Sequence, residues 1–272
     1  MSDSSEGIRP PVVLKLGGSV ITRKGEVERL RPKVLARLSA EIAAVPEVPR
    51  VVLHGAGSFG HPGAQRFGLA RPPIEGARPA ERTRGAAIVQ TEVRRLHLRV
   101  LQELVRAGAS PTSVPMATHA RNREGALVAF DGSPFEDALE RGHIPVSFGD
   151  VIPDDAWGTS ILSADTVASA LVPVLNPSRV VFVSDVPGIL RPSTGGRPTI
   201  YPEVTPALVE ELQPAGPAPD VTGGIRGKAI AMLTIARAGV DAGLISGLTA
   251  GAVSRAIRGE SVYGSWARAV PH

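Results

Sequence analysis

Lysine is scarce in this chain, and the places where it remains are informative. Of the 30 basic residues only Lys15, Lys24, Lys33 and Lys228 are lysine, and arginine takes the rest. An ammonium is a compact point charge on a flexible stem, whereas a guanidinium is a planar fork, so a lysine kept in an arginine-rich chain marks a site for the former. Three of the four stand in or beside glycine-rich stretches: "KLGGS" (15–19), "TRKGE" (22–26) and "TGGIRGK" (222–228). Another glycine turn, "HGAGSFGH" (54–61), follows the apolar run "RVVL" and ends in His61. Glycine turns behind parallel strands gather at the carboxyl edge of a sheet, where backbone N–H groups and helix N-termini favour anions. The combination of glycine and lysine points to phosphate groups.

Two familiar phosphate sites can be tested and fail. Gly55, Gly57 and Gly60 have dinucleotide-fingerprint spacing, but that fold needs an acid about 20 positions on, at the end of the next strand, to hold the ribose. Glu75 lies at that distance within the Pro/Gly-rich "RPPIEGARP" (71–79), which is no strand. A Walker loop needs glycine five residues before Gly227 and Ser or Thr after Lys228; Thr222 and Ala229 stand there instead.

The elements that would position these turns alternate along the chain. Apolar runs at 11–16, 50–54, 179–186 and 241–246 read as buried strands, with shorter strands near 112–116 and 144–148. Helical spacing of apolar residues marks helices over about 32–45, 81–107 and 134–141. Further helices are expected over 163–175, opened by a Ser163 N-cap with Asp165 in its first turn, and after the glycine turn at 222–228. The expected fold class is α/β, a three-layer α/β/α sandwich on a largely parallel central sheet. Residues 190–206 and 213–219 read as loops, and 1–10 as a short disordered leader without signal-peptide layout.

Composition narrows the function. The net charge is +4, but the basic residues form no block and only 4% of residues are aromatic, so neither patch nor stacking platform for nucleic acid is present. No apolar run approaches a membrane span, and absence of cysteine excludes disulfides and thiolate metal sites. His54, His97, His119 and His143 have no metal-ligand spacing and are expected in packing or at the surface, so no protein metal site is expected. The expected compartment is the cytoplasm.

"KLGGSVITRK", "HGAGSFGHP", "GDVIPDDAWGTSILSAD", "VSDVPGIL" and "DVTGGIRGK", in this order over about residues 12–245, resemble the amino acid kinase superfamily, and within it the isopentenyl phosphate kinases. The resemblance implies a single domain over 11–268, with the acceptor on an N-lobe (about 11–175), ATP on a C-lobe (about 176–268), and a homodimer. It implies ATP and Mg2+ as cofactors and a prenyl phosphate as the small-molecule partner. Lys15 and Lys228 would contact ATP phosphates, Lys24 would stabilise the transferring group, and Asp165 would orient Lys15 and Lys228. Gly17, Gly18, Ser19, Gly57, Asp185 and Gly224 would line the nucleotide side; Ala56, His61 and Gly149 would meet the acceptor. A phosphate monoester has a second pKa of about 6 and is already a nucleophilic anion at neutral pH. Such a site needs a hydrogen-bond donor rather than a base, a role histidine can fill. A phosphonate acceptor (fosfomycin-type kinases), another prenyl monophosphate, and a nucleotide-binding sensor without transfer are the alternatives. Ala56 for a common glycine, Arg23 beside Lys24 where an acid is frequent, and "SADT" for "SGDD" depart from the pattern.

Overall fold

The computed structural model describes residues 9–23, 25–74, 78–192, 199–212 and 224–270. Lys24, most of the leader, part of the 190–206 loop, the 213–219 loop and the start of "TGGIRGK" lie outside the described residues.

The first half alternates as expected: β1 (Val12–Leu16), a one-turn α1 (Gly18–Ile21), α2 (Pro32–Ala43), β2 (Arg50–His54), α3 (Gly57–Arg66), α4 (Pro79–Arg106) and β3 (Pro111–Ser113). A hairpin of β4 (Ala120–Arg123) and β5 (Ala126–Phe130), then α5 (Ser133–Glu140), leads to β6 (Ile144–Phe148). A second hairpin, β7 (Asp150–Asp154) and β8 (Gly158–Leu162), precedes α6 (Ala164–Ala170) and α7 (Val172–Leu175). The rest comprises β9 (Arg179–Ser184), the short pair β10 (Ile189–Leu190) and β11 (Ile200–Tyr201), α8 (Pro206–Glu211), α9 (Gly224–Arg237), β12 (Asp241–Ser246), α10 (Ala252–Arg258) and β13 (Gly264–Ala267).

Seven strands form the main sheet in the order β13-β12-β9-β1-β2-β6-β3, parallel except for the β12–β13 pair. Because side chains alternate across a strand, a run with both faces buried must be apolar throughout. Val12, Leu14 and Leu16 join the layer of α2, α4 and α10, with Leu38, Val100 and Val253. Val13, Val51 and Phe182 face the opposite layer of α6 and α9, with Val167 and Met232. This is the expected three-layer sandwich. No helix among the described residues is long and apolar enough to cross a membrane.

Three local expectations change. The helix expected over 163–175 is two, joined at Leu171, because Pro173 cannot donate within a continuous helix. The two hairpins pair as a separate sheet, β5-β4-β7-β8, which periodicity did not reveal. Its turn is organised by Asp154, whose carboxylate accepts from the Gly125, Ala156 and Trp157 N–H groups and the Ser160 hydroxyl. The third change concerns the turn at 54–61.

Candidate active site

The strand order reverses at β1, with β2 on one side and β9 on the other, and in an open α/β sheet the crevice outside the carboxyl ends at such a point is the ligand site. There each strand hands its ladder to a glycine. Gly17 N–H donates to the Val183 carbonyl at 2.7 Å, Gly55 to Leu16 at 2.9 Å, and Gly149 to His54 at 3.0 Å. The first two glycine turns then lie almost backbone to backbone: a Cβ on Gly18 would stand 2.5 Å from Gly57 N. Gly57 itself has φ +50°, a conformation L side chains rarely adopt.

Alternation along β1 puts Lys15 on the same face as Val13, beneath α6 and α9. There its Nζ lies 2.6 Å from Asp165 Oδ1, while Lys228 Nζ donates to Asp165 Oδ2 at 2.9 Å. Asp165 occupies the first turn of α6, and its N–H donates to the Ser163 hydroxyl oxygen, the N-cap expected from the sequence. The three side chains are at most 14% exposed. Burial alone would raise the Asp165 carboxyl, but the two ammonium groups outweigh it and hold it well below the ordinary carboxylate range. For Lys15 burial wins over the attraction of Asp165, with Lys228 adding repulsion, and its pKa falls to about 8. Lys228 also sits over the Phe182 ring, 5.1 Å from its centroid.

His61 does not stand in a loop. "GSFGHPGAQR" folds as α3, so the turn contracts to Gly55 and Ala56. Pro62 inside this helix cannot donate to the carbonyl four residues back, that of Ser58. Glu28 N–H takes that carbonyl instead, at 3.0 Å, and Arg29 N–H donates to the Ser58 hydroxyl oxygen. The proline thus docks the segment that follows Lys24 onto the helix that carries His61. Helices α3 and α4 approach closely because Gly60 has no side chain: a Cβ there would lie 2.7 Å from Val93 Cγ2.

A cavity of about 480 Å³ opens over these turns. Lys15, Gly17, Gly18, Ser19, Ala56, Gly57, His61, Gly149, Gly224 and Lys228 all line it, so the structure brings together ten of the expected residues from distant parts of the chain. Asp165 acts on the cavity through its two lysines. Asp185 reaches it through Ser19, whose hydroxyl donates to Asp185 Oδ1 at 2.7 Å. Lys24 lies outside the described residues, but Gly25, Glu26 and Val27 line the cavity. The apolar arm of this cavity is formed by Ala64 of α3, Val89 and Val93 of α4, and Ile161 and Leu162 of β8. The helical stripe on α4 was visible; the strand that faces it was not.

A model of the amino acid kinase family matches residues 10–246 of this chain, which is most of its length. The chain belongs to the amino acid kinase family. An isopentenyl phosphate kinase from Methanothermobacter thermautotrophicus is 32% identical over 93% of this chain and 97% of its own. A solved isopentenyl phosphate kinase structure superposes with a TM-score of 0.84 at 29% identity, covering 94% of this chain and all but 1% of the other. A product complex of the T. acidophilum isopentenyl phosphate kinase gives a TM-score of 0.76 at 27% identity, covering 95% of this chain and 100% of that one.

Within this member of the amino acid kinase family, three of the four residues that depart from the family pattern have physical accounts. Ala56 has φ −69° and ψ −27°, ordinary right-handed backbone, so alanine serves where glycine's freedom is unnecessary. Arg23 stands where an acid is frequent, but Glu26, 3.8 Å from its guanidinium, brings a carboxylate to the cavity wall. In "SADT" the buried Ala164 packs in the core with Val167, and Asp165, the carboxylate shared by Lys15 and Lys228, is kept. Thr166 in place of an acid has no structural account.

Proposed function

We propose that this protein is an ATP-dependent kinase that transfers the γ-phosphoryl group of ATP to isopentenyl phosphate, giving isopentenyl diphosphate and ADP. The observation that carries the reading is one continuous cavity, with a cationic, glycine-lined end at the carboxyl edge of the sheet and an apolar arm between α4 and β8. The cationic end suits phosphates, and the arm, walled by Val89, Val93, Ile161 and Leu162, suits a branched hydrocarbon tail better than a small polar phosphonate.

Phosphoryl transfer is mostly positioning and charge stabilisation. Lys15 and Lys228, spaced by Asp165, hold the nucleotide phosphates, and Lys24 covers the group in flight. Residues Ser19, Asp185 and Gly224 belong to the nucleotide side, in 176–268 and the turn after β1. His61 donates a hydrogen bond to the acceptor phosphate, with Ala56 and Gly149 beside it, all from 11–175. An acceptor oxygen attacks the γ-phosphorus in line, the bond from that phosphorus to the β–γ bridging oxygen breaks, and ADP leaves with its electrons. Because the acceptor is already an anion, no general base is required.

Among the described residues no cluster of three or more His, Asp or Glu could hold a metal. In this reading Mg2+ would be carried on the nucleotide's phosphates. Bound there, the ion would neutralise charge on the β- and γ-oxygens, while Lys15 and Lys228 supply the protein's share.

ADP release measured with isopentenyl, dimethylallyl and geranyl phosphates and with fosfomycin tests the reading. Turnover with isopentenyl phosphate and none with fosfomycin is expected; turnover with fosfomycin alone would reassign the acceptor, and ATP binding with no transfer would make the protein a sensor. The proposal includes a cytoplasmic homodimer, for which light scattering should return twice the 28.3 kDa chain mass.

A further inference from the structure

Behind the glycine turn lie two buried histidines that the phosphate chemistry does not use. His54, the last residue of β2, is fully buried, and His97 of α4 is 5% exposed. Their rings stack with centroids 5.3 Å apart, and Phe148 packs against both. His54 Nδ1 is 3.1 Å from the Gly55 carbonyl oxygen, His54 Nε2 is 3.1 Å from His97 Nδ1, and His97 Nε2 is 2.8 Å from Ser113 Oγ.

One end of this chain fixes the direction of every bond in it. A carbonyl oxygen only accepts, so the proton of a neutral His54 ring sits on Nδ1 and its Nε2 is a lone pair. His97 must then donate from Nδ1, leaving its own Nε2 to accept from the Ser113 hydroxyl. The rings are held neutral by their surroundings. Burial lowers His54 to about 4 and His97 to about 3, and the neighbouring cations, Lys15 from β1 and Arg94 from α4, act in the same direction. Asp150 of β7, a buried carboxylate, is engaged by Arg94 through two hydrogen bonds of 3.1 and 3.0 Å, and the buried Asp165 by Lys15 and Lys228.

The Gly55 carbonyl and the Ala56 N–H belong to one trans peptide and point in opposite directions. Drawing the carbonyl back over His54 therefore turns the Ala56 N–H outward, and Ala56 lines the cavity. We propose that Ser113, His97 and His54 are positioning residues whose directed hydrogen-bond chain fixes the Gly55–Ala56 peptide, so that the Ala56 N–H meets the acceptor phosphate. The second half of that statement rests on the acceptor placement proposed above; the first does not.

The first half is tested on the protein without substrate by ¹⁵N NMR of the imidazoles at pH 7. The expected spectrum has His54 and His97 both protonated on Nδ1 only; a proton on Nε2 of either ring would overturn the chain. The second half is tested by kinetics. An asparagine amide nitrogen can occupy the place of imidazole Nδ1, so His54→Asn keeps the donor to the Gly55 carbonyl and His54→Leu removes it. A misdirected donor costs up to the ~100-fold of a lost oriented hydrogen bond. His54→Leu should lose about 30- to 100-fold in kcat/KM for isopentenyl phosphate with the KM for ATP unchanged, and His54→Asn should retain activity within about fivefold. Equal losses in the two variants, a loss that follows their melting temperatures, or a loss shared by ATP would reduce the histidines to packing. Intact tautomers in a protein that transfers to no prenyl phosphate would leave the chain standing and sink the acceptor reading instead.

Discussion

Replacing Asp165 by asparagine removes the one carboxylate shared by two buried ammonium groups, 2.6 and 2.9 Å from it. Each attraction is worth about 6 kcal/mol at an effective dielectric constant of about 20. Much of that is offset by desolvation, and the net cost of removing one partner from a buried pair is about 3–5 kcal/mol. Expressed as a proton equilibrium, this is roughly 2–4 pKa units. Lys15 already titrates at about 8, because burial outweighs its partner. In Asp165→Asn it would titrate at roughly 4–6, and at pH 7.5 only about one molecule in thirty to one in three thousand would carry the ammonium. The expected loss in kcat/KM for ATP is of the same order, about 30- to 3000-fold. The diagnostic is its pH dependence. Between pH 8 and 6 the variant should recover up to about tenfold per unit as Lys15 regains its proton, while the wild type rises no more than about twofold. Measurements at low ATP avoid re-protonation of Lys15 by bound phosphates. A variant within threefold of wild type at pH 7.5, or a loss independent of pH, would refute the electrostatic reasoning.

His61→Ala and Lys24→Ala should each lower turnover at least ~100-fold with an unchanged melting temperature, since each would remove a group that the proposed mechanism assigns to a transferring or accepting phosphate; near-normal ADP release from either would remove it from the mechanism. Wild-type kcat/KM for ATP should fall above about pH 8 as Lys15 deprotonates. Its contribution to stability runs the opposite way: between pH 8 and the unfolded value of 10.5 the unfolded chain holds the extra proton, so this group makes the fold more stable as pH rises. Urea unfolding from pH 7 to 4.5 should reveal the buried histidines. Their folded pKa values of about 4 and 3 lie below the unfolded 6.5, so their stabilisation is complete above pH 6.5 and is lost as pH falls. The slope should reach about 1.4 kcal/mol per pH unit for each ring, and a His54→Asn/His97→Asn double variant should be flatter.

Much of the site was legible because its signals are local. Glycine after a strand, a lysine retained among arginines, Ser163 before Asp165 and the α4 stripe each follow from chain geometry within a few residues. The sequence could not separate a loop from a helix at "GSFGHP", because glycine and proline argue against a helix wherever no tertiary partner compensates. Here the partner is Glu28, which takes the carbonyl that Pro62 leaves unpaired. The side sheet was missed for a similar reason: β5 is largely exposed and β7 contains Pro153, so neither shows a clean two-residue period.

By itself the sequence determined the main architecture, since continuous apolar runs alternating with period-3.6 apolar patterns leave little choice but a parallel sheet between helical layers. It also determined the chemistry at the sheet edge, because phosphate sites demand particular residues at short spacings. Only the tertiary structure decided which groups meet. Lys15 and Lys228 are brought to one carboxylate, Val93 and Leu162 to one cavity, and His54 and His97 to one hydrogen-bond chain. Such pairings join residues tens to hundreds of positions apart, and long-range contact, unlike local propensity, leaves no periodicity in a single sequence.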